Sequence, residues 1–109
     1  MAGSIKHVHV SVDNEGKVTC SPDPVKVQGA NALIVFKMTS AGWTFTEANA
    51  ITVENPGTDF PYPSWTIKPT TAVLLDLDNV KGDYSYCVSV VQVSTGKQFL
   101  GDPTIQNEG

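Results

Sequence analysis

Two histidines, two cysteines and a scatter of carboxylates are the side chains in this sequence that could do chemistry. His7 and His9 stand at i and i+2 in His7-Val8-His9-Val10-Ser11-Val12. On an extended strand that spacing puts both imidazoles on one face, about 7 Å apart. Such a pair can supply two ligands to zinc, and a third must come from elsewhere. Asp13 and Glu15 follow closely but fall in a turn, so a solvent-facing pair on a first strand is the leading expectation. A small metal-binding protein or enzyme using His7 and His9 is the alternative. Cys87 closes the stretch Gly82-Asp-Tyr-Ser-Tyr-Cys87. Strand side chains alternate, so a cysteine directly after Tyr86 projects away from Tyr84 and Tyr86. Neither His nor Met occurs between Val88 and Gly109, and a copper site built on a late loop needs both beside its cysteine. Asp76 and Asp78 bracket Leu77 and read as outward-facing strand residues. An acid–base pair made from them would need burial to separate their pKa values. No nucleophile-elbow pattern and no glycine-rich phosphate loop is present. The expectation is a non-enzyme with no catalytic residues and no cofactor.

Aromatic residues are distributed unevenly. Of the nine, five (Trp43, Phe45, Phe60, Tyr62 and Trp65) lie between Gly42 and Trp65. Pro61 and Pro63 stiffen the backbone there and limit the entropy lost on binding. Large rigid rings on a pre-set loop suit a protein, peptide or glycan partner. The competing reading is that these rings cap one end of the core. Net charge is −4, and the seven basic residues do not cluster. Nucleic acid and anionic membranes, which both need a basic face, are therefore not expected partners.

The elements that would position these residues are strands. At 109 residues, 40% hydrophobic and 17% charged, the chain is expected to form one globular domain over 1–109. Period-two alternation runs through 7–12, 18–20, 25–27, 31–39, 51–53, 65–67, 73–77, 83–93 and 98–105. Asp13-Asn-Glu-Gly16 and Ser94-Thr-Gly-Lys97 read as turns. Pro22 and Pro24 mark an edge or a crossing between sheets, since proline cannot donate to a ladder. No window holds a 3.6-residue period. The fold class expected is all-β, an antiparallel β-sandwich of seven to eight strands. Its exposed first or last strand could pair between subunits and give a homo-oligomer. The first residues lack the apolar core of a secretory signal, and no apolar run is long enough to cross a bilayer. A soluble cytoplasmic protein with Cys20 and Cys87 as thiols is the corresponding expectation.

Three resemblances attach to these motifs. Gly82-x-Tyr84-x-Tyr86 resembles the approach to the cysteine in cupredoxins, although here Val88, not Cys87, is in phase with the aromatics. Cys20 and Cys87 are spaced somewhat as in immunoglobulin domains, but Ser85 stands where that family has its tyrosine. Ser21-Pro-Asp-Pro24, Gly42-Trp43, Phe60-Pro61, Gly82-x-Tyr84-x-Tyr86 and Asp102-Pro-Thr-Ile-Gln-Asn-Glu108 together look like the small bacterial DP-EP family. Glu108 is followed here by Gly109 rather than proline. That last resemblance spans most of the chain. It implies an immunoglobulin-like or cupredoxin-like sandwich without copper and without an assigned activity.

Overall fold

In β1 (Ile5–Val12) the alternation predicted for a half-wet strand is realised: Val8, Val10 and Val12 are buried, while His7 and His9 are exposed. The computed structural model describes residues 4–108. After β1 come β2 (Val18–Ser21), β3 (Val25–Val27), β4 (Ala32–Met38), β5 (Trp43–Phe45) and β6 (Ile51–Val53). They are followed by β7 (Trp65–Lys68), β8 (Thr71–Asp76), β9 (Gly82–Gln92), β10 (Gln98–Gly101) and β11 (Thr104–Asn107). Among the described residues there is no helix, so none is long and apolar enough to cross a membrane.

The strands form two sheets. The first has the order β2-β1-β4-β8-β7. The second is organised on the long β9, with β11 and β10 along one edge, β6 and β5 along the other, and β3 outside β11. Both sheets are mixed, because β1 and β4 run parallel, as do β11 and β3. This corrects the expectation of an antiparallel arrangement. Antiparallel neighbours can be joined by a tight turn, whereas parallel ones need a crossover. The chain supplies that crossover by leaving the first sheet after β2, forming β3 at the edge of the second, and returning as β4. Ser21-Pro22 and Asp23-Pro24, both cis, occupy the passage. The eleven strands also exceed the expected seven to eight. One reason is Pro103, which interrupts the final strand into β10 and β11 although the two keep a single register along β9.

The core lies between the sheets. Ile34, Phe36 and Leu74 from the first meet Tyr86, Val88, Val90 and Ile105 from the second, all buried. Phe36 and Tyr86 join the layers edge to face, with ring centroids 5.6 Å apart. At one end the β1–β2 turn closes on β10. A Cβ on Gly16 would stand 2.3 Å from the Phe99 ring, and φ there is +85°. Glycine is required on both grounds.

Candidate functional site

The segment from Asp59 to Trp65 links the two sheets, and its residues divide sharply by environment. Phe60 is buried and packs edge-on against Tyr84 at 5.0 Å. Tyr62 and Trp65 are 55% and 49% exposed, and their rings lie 6.3 Å apart at a tilt of 32°. Of the five aromatics singled out from sequence, Trp43 and Phe45 are also buried, Trp43 against Phe99 at 5.2 Å. The structure thus brings Tyr62 and Trp65 together at the surface and places Trp43, Phe45 and Phe60 in the core. Beside Tyr62 a groove of about 250 Å³ runs between β6 (Ile51, Thr52, Val53) and the loop residues Pro56, Phe60, Pro61 and Pro63.

The corner is held from both ends. On one side the Ser64 hydroxyl accepts a hydrogen bond from the Ile51 amide at 3.1 Å. The Thr66 hydroxyl donates to the Thr46 carbonyl at 2.7 Å. On the other side Asp59 is fully buried. Its Oδ1 accepts from the Asn79 amide, and its Oδ2 accepts from the Val80 amide and from Asn107 Nδ2, each at 3.0 Å. Its carbonyl accepts from the Leu77 amide at 2.8 Å. One aspartate therefore ties the loop to the β8–β9 connection and to β11.

Asn107, 1% exposed, is the hub of this junction, because its Nδ2 also donates to Asp76 Oδ1 at 3.0 Å. Asp76 Oδ1 accepts from the Asp78 amide as well. Asp76 and Asp78 are buried, correcting the outward orientation expected for them. The run Ala72-Val-Leu-Leu-Asp-Leu-Asp78 is apolar at both parities, so alternation alone cannot say which set faces inward. In the fold Ala72 and Leu74 take the core side and carry Asp76 with them. Burial pushes the Asp76 carboxyl up to about 6. The Asn107 and Asp78 hydrogen bonds oppose the rise, and the Asp78 and Asp59 charges add to it. Asp76 Oδ2 and Asn107 Oδ1 are buried with no hydrogen-bond partner. A proton on that Oδ2 would turn one orphaned acceptor into a donor.

The remaining reactive side chains are spread over the molecule. Tyr86, Val88 and Val90 of β9 face the core, and half-buried Cys87 projects from the other side of the sheet. Cys20 lies on the inner side beside Tyr86, so the two thiols are on opposite sides of β9 and both are free. Burial first, then the Asp23 charge, pushes the Cys20 thiol up to about 12. Burial, with the Asp102 and Glu54 charges, raises Cys87 too. Neither has the electropositive surroundings that make a reactive thiolate. His7 and His9 stand on the outer face of the first sheet, with His7 beside Val35 and His9 beside the cationic Lys37. Among the described residues no group of three His, Cys, Asp or Glu side chains is placed to hold a metal ion.

Asp59, Ser64 and Asn107 are the positioning residues that sequence reasoning missed. Asp59 and Asn107 are 48 residues apart, and no local pattern marks such a pair. No family model matches the chain, and no curated protein sequence does.

Proposed function

We propose that this chain is a non-catalytic binding module whose contact surface centres on Tyr62 and Trp65. The observation that carries this reading is the pairing of two half-exposed rings on a proline-stiffened segment anchored at both ends by buried hydrogen bonds. An aromatic surface held in place before contact loses little conformational entropy on binding, and hot spots are rich in Trp and Tyr for that reason. The adjoining groove along β6 offers a pocket for a side chain or a sugar of the partner. The two-layered all-β scaffold supports an immunoglobulin-like or cupredoxin-like sandwich acting as a rigid frame. The likeness to the DP-EP proteins belongs to the same proposal.

Arrays of immobilised peptides and glycans, probed with the wild type and with Trp65→Ala and Tyr62→Ala, test the reading. Features bound by the wild type and lost in both variants, each still melting cooperatively, are the expected result. Signals that survive both substitutions, or an array with no signal, would defeat it.

A further inference from the structure

The outer face of the first sheet carries a feature that the aromatic corner leaves unexplained. Strand registers set two apolar rows across it. Ile5, Leu33 and Leu75 form one row, and Val35, Val73 and Trp65 form the next, with His7 at its end. His9 and Lys37 make the row beyond. Ile5 and Trp65 are exposed, Leu33, Val35 and Leu75 are half-buried by their neighbours in the sheet, and Val73 is buried between Val35 and Trp65. Apolar rows of this extent on an open sheet face mark interaction surfaces. On the second sheet the outward positions of β9 are mostly polar (Asp83, Ser85, Cys87, Ser89), with Val91 at the end and Leu100 beside Ser89 as the apolar exceptions.

Charge indicates what would cover the face. The chain has eleven acidic side chains against seven basic ones. Yet β1, β2, β4, β7 and β8 together contain a single carboxylate, Asp76, and it is buried on the inner side. On the outward side the same strands carry Lys37 and Lys68, which flank Thr71 in one row, and the two histidines. The strands of this apolar face thus present no carboxylate outward, and Lys37 and Lys68 stand along one border of it. A second copy is a poor match, because an isologous contact would set this carboxylate-free face against itself. Nucleic acid is disfavoured too, since its affinity comes from many phosphate contacts and the cations here are few.

We propose that this face docks a protein partner whose own contact surface is apolar and rimmed by carboxylates. The inference rests on the reading of the chain as a binding module and extends its contact from Trp65 across β8, β4 and β1. Complementary charge sets register and association rate, and the apolar rows supply the burial.

The test is an NMR titration of the full chain with two synthetic amphipathic peptides, one of leucine and glutamate, the other with lysine for every glutamate. The glutamate peptide is expected to shift amides of β1, β4, β8 and β7. Its affinity should fall roughly tenfold in Lys37→Glu, an exposed position, and should fall further with added salt. Equal binding of the lysine peptide, or no shift with either, overturns the proposal. So does binding to phosphatidylserine vesicles through these amides in the absence of peptide binding. Shifts confined to Tyr62 and Trp65 sink the face and leave the corner reading standing. Shifts across the face that persist in Tyr62→Ala, a ring outside the two rows, sink the corner reading and leave the face standing.

Discussion

Phe60 and Tyr62 are separated by one proline and belong to different parts of the molecule. Phe60 sits under Tyr84 with almost no contact with solvent, whereas Tyr62 leans on Trp65 in the open. The contrast extends to their neighbours. Asp59 and Ser64 hold their polar groups inside the fold, and Tyr62 between them and Trp65 just beyond are left to be presented. Anchoring and presentation are thus divided between adjacent residues of one loop. Aromatic content by itself identifies neither.

That division can be broken most forcefully on the anchored side. Phe60→Ala is expected to cost about 3 kcal/mol, from lost burial and the cavity left beneath Tyr84. Denaturant melts read this directly, and a loss below ~1 kcal/mol would show that Phe60 is not core. Asn107→Ala comes next, at about 2 kcal/mol, because it removes a donor from two buried carboxylates at once. Its diagnostic sign is faster amide exchange at Asn79 and Val80, whose acceptor Asp59 is released.

Asp76 sharpens the comparison through pH. Its folded-state pKa of about 6 lies above the ordinary Asp value of ~3.9. Between those values the folded protein holds a proton that the unfolded chain has lost. The contribution of Asp76 to stability is therefore full below about pH 4, declines as pH rises toward 6, and is flat above. Asp76→Asn retains an acceptor for the Asp78 amide and Asn107 Nδ2, and its own amide can face the orphaned Asn107 Oδ1. The variant is expected to lose the decline between pH 4 and 6 and to melt higher than wild type at pH 7. Parallel pH–Tm curves for the two proteins would contradict this account.

Trp65→Ala should have the smallest effect on stability, within about 1 kcal/mol, while removing most of the partner contact. Loss of the cooperative melt in this variant would place Trp65 with Phe60 on the anchored side.

Parts of this arrangement were legible beforehand. His7-Val8-His9-Val10 announces which side of β1 is wet, and Tyr84, Tyr86 and Cys87 announce the parity of β9, because a polar–apolar alternation has one sensible way to meet a core. The hairpin at Ser94–Lys97 and the crossing at Pro22–Pro24 were legible for equally local reasons: each depends on the backbone limits of glycine or proline. Where both parities hold apolar residues, as over 72–78, the pattern carries no orientation, and the outward Asp76 it suggests is buried in the fold.

From sequence alone came the all-β class, the strand-forming segments and the concentration of rings between residues 42 and 65, since these follow from side-chain period and backbone preference over a few residues. Only the tertiary structure decided that β1 pairs in parallel with β4, that Asn107 reaches both Asp59 and Asp76, and that two of the five rings face solvent. Those outcomes depend on contacts between residues tens of positions apart, whose energies no local pattern encodes.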